Sequence, residues 1–296
     1  MAIACADAAL EPRPPATAVV APGASFGELV VHDVTPVDSP LRALTEADVV
    51  ERTPAPVGAV GLVVDPETGY RLVVRRSGEV LIASTDEVVQ VFEAPERRFG
   101  FGDAVWVGPG LLALTALNDG FLAVLSTGEL TQHFCFLPTW MEPQFDAIVQ
   151  RSDALALDRT HDRLYAQPQT DGETEAGTVL EGFLSSYALS DGAERTWYRM
   201  PRPVPRATGM VVLSPGPGDG ERDAPRLLLA YPATLSRGPH LQIFDGEAAT
   251  LTPSVDLTSI DVGHVGALAV DEAAETLLVL ATQEIVALPL ALFRNE

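Results

Sequence analysis

Residues 62–74 read LVVDPETGYRLVV, two runs of β-branched and aliphatic residues around a polar insert with Pro second and Gly last. That is hairpin patterning rather than helix patterning. The form returns as SDALALDRTHDRLYAQ at 152–167 and as VGALAVDEAAETLLVLA at 265–281. Weaker copies stand at 102–116, GDAVWVGPGLLALTA, and at 208–232, TGMVVLSPGPGDGERDAPRLLLAYP. The residue closing the first strand is Asp65, Gly108, Asp158, Ser214 and Asp271, at spacings of 43, 50, 56 and 57 residues. Asp and Ser end strands and open turns by bonding their own backbone. A unit that recurs at this interval has to stack on its neighbours to bury its faces, which narrows the fold to repeat architectures.

The second half of each unit carries its own turn signals, at Thr127-Gly128, Asp191-Gly192 and Asp245-Gly246, with Thr85-Asp86 in the first unit. Asp-Gly suits a hairpin turn whose two central residues take positive φ. Each unit therefore has four strands, a to d, placed in the first unit at about 59–64, 70–75, 79–84 and 88–93. Four-stranded units at a period of about 40 to 50 residues predict an all-β chain folded as a β-propeller of antiparallel blades. The repeat resembles those of the β-propeller superfamily, YVTN- and NHL-like in particular, whose blades read apolar–x–apolar–Asp–Pro–x–x–x–apolar–Tyr. The resemblance covers about 58–290, implies the fold, and implies little about function.

Five blades are expected, the alternative being a degenerate sixth over residues 15–53. The last unit has strands a, b and c (265–270, 276–281, 284–289) but only LALFRNE beyond them. An N-terminal strand is therefore expected to close the ring and protect the open edge. GELVVHDV at 27–34 suits that role with TAVVAP as companion, and ADVVERT at 47–53 reads as a further outer strand. Residues 1–24 read as a flexible Ala/Pro-rich tail and 25–296 as one domain.

The net charge of −22 argues against nucleic acid or an anionic membrane surface as the main partner. All 19 basic residues are Arg. Without Lys there is no Schiff-base chemistry, no phosphate-loop lysine and no Ser–Lys dyad. The two cysteines, Cys5 and Cys135, form neither a disulfide scaffold nor a zinc site with paired spacing.

Loops d–a and b–c share one face of such a ring; a–b and c–d turns share the other. The a–b and c–d turns are rich in carboxylates, among them Asp65, Asp158, Asp191, Asp245 and Asp271. The d–a and b–c loops carry Arg76, Arg97, Arg98, Arg151, Arg202, Arg206 and Arg237, and the long segments around Trp140 and Phe145. Aligning the units brings Arg151, Arg206, His264, Asp103 and Asp153 to the channel mouth on the d–a side, with Trp140 nearby. These residues are the candidate binding site; the plainer reading is a solvated polar channel lining.

The leading functional reading is a non-enzymatic module that binds a protein or a small ligand through the d–a/b–c face, as a monomer with no cofactor. The alternative is a hydrolase acting on carbohydrate, with Asp103 and Asp153 as the carboxylate pair. A gluconolactonase-like metal site needs Asn ligands, and only Asn118 and Asn295 exist. No G-x-S-x-G elbow is present. The five His are scattered, and the acidic loops at 171–175 and 219–223 lack a complete calcium-loop pattern, so no metal site is expected. Ala2-Ile3-Ala4-Cys5 resembles the end of a bacterial lipobox, without the charged and apolar regions that precede one. That resemblance implies lipidation at Cys5, the chain's one route to a membrane, and a periplasmic or surface location; a cytoplasmic tail is the alternative.

Overall fold

The computed structural model describes residues 30–66, 68–91, 101–108, 111–116, 121–127, 136–139, 152–168, 182–188, 194–201, 206–214, 224–234 and 237–294. Four short N-terminal strands come first: β1 (Val30–Asp33), β2 (Thr35–Pro36), β3 (Arg42–Ala43) and β4 (Glu51–Pro54). Then follow β5 (Ala59–Val64), β6 (Arg71–Arg75), β7 (Glu79–Ile82) and β8 (Glu87–Val91). Next are β9 (Phe101–Gly108), β10 (Leu111–Ala116), β11 (Phe121–Thr127) and β12 (Phe136–Thr139). The third group is β13 (Ser152–Asp158), β14 (Arg163–Pro168), β15 (Phe183–Ala188) and β16 (Glu194–Arg199). The fourth is β17 (Gly209–Leu213), β18 (Arg226–Tyr231), β19 (His240–Asp245) and β20 (Thr250–Asp256). The chain ends with β21 (Val265–Asp271), β22 (Thr276–Ala281), β23 (Glu284–Pro289) and the short helix α1 (Ala291–Arg294).

These strands form five sheets, in each of which sequential strands pair antiparallel. The first strands pack side by side in a closed circuit: β5 on β9, β9 on β13, β13 on β17, β17 on β21, and β21 back on β5. An all-β circuit of antiparallel sheets is a β-propeller arrangement. A sheet covered on both faces by its neighbours buries its middle strands, most fully in the last two sheets. TLLVLA in β22 is buried throughout, and RLLLAY in β18 in all but its first residue. Leu62 and Val73 of the first sheet pack with Ala267, Leu278, Leu280 and Ile285 of the last, which seals the joint between the chain's two ends. Burying one such Leu or Val fully contributes about 1.5–3 kcal/mol.

The recurring Asp of the repeat is a turn cap. Asp158 Oδ1 accepts the N–H groups of Thr160 (3.0 Å) and His161 (3.2 Å), and Asp271 Oδ1 that of Ala274 (3.0 Å). Asp65 accepts the Thr68 hydroxyl. Four residues after each Asp the backbone is left-handed, at Gly69 (φ 72°), Asp162 (φ 54°) and Glu275 (φ 52°). All three capping carboxylates are buried, as a turn between core strands requires.

The N-terminal segment corrects the expected closure. The last sheet is completed by β4, antiparallel to β23 with Thr53 opposite Ile285 and Arg52 opposite Val286. The described part of the expected 27–34 does not complete it. Instead β1 lies parallel on β16 of the third sheet, with Val31 opposite Trp197. β2 and β3 then lie parallel on β20 of the fourth. Residues 30–54 thus run along the outer edges of three sheets and make no sheet of their own, which leaves the six-blade alternative without support. The physical reason lies in the anchors. Val34 and Leu44 are buried between β1 and β4, and the Arg52 guanidinium reaches Glu284 (2.5 Å), Glu46 (2.8 Å) and the Ile260 carbonyl (2.7 Å). GELVVHDV is the more apolar stretch, but Val30 and Val31 stand exposed. The tail expected over 1–24 and the strand TAVVAP lie outside the described residues.

One buried base makes the fold sensitive to acid. His240 in β19 stacks on Tyr231 at 5.5 Å and hydrogen-bonds the Gly238 carbonyl through Nδ1 at 2.9 Å. Burial pushes its pKa below the ordinary value. The unfolded chain, with a His pKa of about 6.5, binds the proton before the native state does. Stability therefore falls as pH drops below that value, by at most ~1.4 kcal/mol per pH unit. Denaturant titrations at pH 7.5 and 5.5 should show His240→Phe with the shallower loss; equal losses in both proteins would remove His240 from the account.

Candidate functional site

The five inner strands surround a central cavity of about 760 Å³, within the range of small-molecule sites. Its described lining starts at Leu62 in β5, Ala104 in β9, Ala156 in β13, Met210 in β17 and Leu268 in β21, and runs to the a–b turns. The cavity thus occupies the half of the channel nearer those turns. Toward the other end the inner strands close up. A Cβ on Gly61 would come within 3.1 Å of the Gly102 carbonyl oxygen, and one on Gly209 within 2.8 Å of Ala267 and Leu268 backbone atoms. Both glycines sit where neighbouring strands touch, and a larger residue would push them apart.

The walls are apolar. Val64, Trp106, Leu157, Val212 and Val270, one from each inner strand, line it and are the partly exposed side chains of their strand ends. The mouth is polar and mostly cationic: Arg159, Arg226 and Arg294 line it with Thr160, His161 and Ser214. Arg159 donates to the Trp106 carbonyl at 2.8 Å, which lays its side chain over β9. Arg294 pairs with Glu272 at 2.5 Å, and Glu272 also accepts the Ser214 hydroxyl at 2.7 Å. The Arg294 Nε is buried without a hydrogen-bond partner among the described residues. The carboxylate in the lining, Asp158, is turned inward onto its own turn and onto His161 Nδ1 at 2.5 Å. Beneath it, burial first, then Tyr198 and Asp158, raise the pKa of the Tyr165 phenol, so it stays neutral.

Of the residues expected to bind, the described ones, Asp103, Arg206 and His264, are not in this lining. Asp103 is buried, and its carboxylate accepts the N–H of Ala104 (2.8 Å) and of Leu155 (2.9 Å) in the next sheet. That makes it a staple between β9 and β13. Gln167 does the same one sheet on, accepting the Ala207 N–H at 2.8 Å. Arg206 is half-buried just before β17, and His264 is exposed just before β21. The backbone of Asp153 lies in β13, at the end away from the cavity. Arg151, Trp140 and Cys5 lie outside the described residues. Asp103→Ala should cost about 2–4 kcal/mol, since it leaves the buried Leu155 N–H without an acceptor. Chemical denaturation checks this; a loss below ~0.5 kcal/mol, within the range of ordinary surface substitutions, would contradict the staple.

The mouth arginines escape a reading by loop composition. By that reading the a–b side is a strongly negative face, because its turns hold so many carboxylates. Asp65, Asp158 and Asp271 are spent on capping, whereas Arg159, next to one cap, and Arg226, opening β18, turn to the channel. Among the described residues, no group of three or more His, Cys, Asp or Glu is placed to hold a metal ion. No described helix is long and apolar enough to cross a membrane.

No protein-family model matches the chain, and no curated protein matches it. Among solved structures it is similar to a chain of a mitotic checkpoint complex, at 12% identity over 86% of this chain and 95% of that one, with a TM-score of 0.42. It is also similar to the glutaminyl cyclase of Myxococcus xanthus, at 12% identity over 88% and 97%, with a TM-score of 0.48. At those values neither likeness speaks to the site. What the topology defines is a β-propeller with a ligand-sized central cavity.

Proposed function

We propose that this chain is a binding module, a single ring of five blades whose ligand enters the central cavity from the a–b side. The five sheets and the closed circuit of their inner strands support that count. The observation that carries the functional reading is the cavity itself, apolar within and lined at its mouth by three arginines on a chain of net charge −22. A channel that merely held water would be lined by polar groups throughout. The hydrolase reading gains nothing from the geometry, because both Asp103 oxygens already accept backbone N–H groups. A general base or nucleophile needs access to its substrate.

A thermal-shift screen of small-molecule extracts tests this. A ligand that stabilises the wild-type protein should fail to stabilise Leu157→Arg, which places a long cation in the cavity. The same ligand should still stabilise the Arg151→Ala/Arg206→Ala double variant. The opposite pattern, ligand kept by Leu157→Arg and lost by the double variant, would move the site to the d–a face.

A further inference from the structure

We propose that the cavity takes an anionic amphiphile, a small carboxylate with an alkyl or aryl body. This rests on the cavity being the ligand site and adds the chemistry of its occupant. The walls offer Val64, Trp106, Leu157 and Val212 and almost no side-chain donors, so a sugar or a nucleotide buried there would leave its polar groups unpaired. An apolar body of roughly ten to fifteen heavy atoms fits a site of this volume class.

The charged end belongs at the mouth. A guanidinium has five N–H donors in a fork that matches a carboxylate, and the described bond of Arg159 uses one of them. Arg294 adds a buried Nε–H that has no hydrogen-bond partner among the described residues. Its pairing with Glu272 holds the other side of the fork in place. The lining's carboxylate, Asp158, is tied into its turn and onto His161. Its oxygens are taken up there rather than turned toward an incoming anion.

Three probes of one chain length separate the parts of this inference: dodecanoate, 1-dodecanol and dodecylammonium, each titrated below its micellar concentration and followed by Trp emission. Dodecanoate should bind saturably, about tenfold or more tighter than the alcohol, with the ammonium weakest. The emission change should vanish in Trp106→Phe. Arg159→Ala and Arg294→Ala should each weaken dodecanoate by about tenfold and leave the alcohol unchanged. Equal binding of acid and alcohol would overturn the anion selectivity while leaving the cavity as a binding site. No binding of any probe, with the extract ligand still excluded by Leu157→Arg, would overturn the amphiphile alone. An emission change that survives Trp106→Phe would put the probe outside the cavity.

Discussion

Truncating the chain through Pro54 is expected to lower the melting temperature by about 10–20 °C, from a loss of at least ~5 kcal/mol at a few degrees per kcal/mol. The truncation removes the fourth strand of the last sheet and exposes the edge of β23. It also removes the buried Leu44 and the Arg52 side chain that ties β4 to Glu284 and the Ile260 carbonyl. A long unpaired edge is also a template for association between chains, so the truncated protein should aggregate on heating. Truncation through Asp38 is the contrast. It removes β1 and β2, which lie outside sheets that already have four strands, and should cost less than half as much. If the shorter truncation proves as damaging as the longer one, β4 is not the closing strand.

The second large effect is expected at Gly209→Val. The new Cβ alone would sit 2.8 Å from backbone carbon and nitrogen of β21, and backbone cannot swing aside as a side-chain tip can. Two inner strands would have to separate, at a cost of about 3 kcal/mol or more by the measure of overpacked cores. Gly263→Val, where a Cβ meets nothing within 4 Å, is the matched control and should cost far less. Equal stabilities of the two variants, measured by chemical denaturation, would mean that β17 and β21 do not touch there.

Much of the architecture was legible because the repeat writes the same local physics several times. The expected strands at 59–64, 276–281 and 284–289 match β5, β22 and β23 to the residue. The capping Asp at 65, 158 and 271 was readable as a strand end because an Asx turn leaves a fixed signature. The closing strand was legible as an outer strand within 47–53, but not as the one that closes the ring. ERTP in β4 has no apolar alternation; its place is decided by the long-range partners of Arg52, 208 and 232 residues away in sequence, and no local pattern encodes those. The partners of Asp103 were hidden for a related reason. A carboxylate two residues into an inner strand looks like a channel group, yet a bulge in the pairing of β9 accompanies a side chain turned toward Leu155 N–H. The mouth arginines were visible as residues but were weighed by the average charge of their face. What matters at a cavity is which few side chains reach its rim, and that is settled by packing.

The central claim is that ligand sits in the a–b half of the channel, against Trp106. The chain has three tryptophans: Trp106 at the cavity wall, Trp197 in β16, and Trp140, which lies outside the described residues. Fluorine NMR of protein carrying 5-fluorotryptophan, with resonances assigned by Trp→Phe variants, tests it most directly. Adding the ligand that raises the melting temperature should shift the Trp106 resonance saturably and leave Trp197 and Trp140 in place. A Trp106 resonance that stays fixed while either of the others moves would contradict the claim.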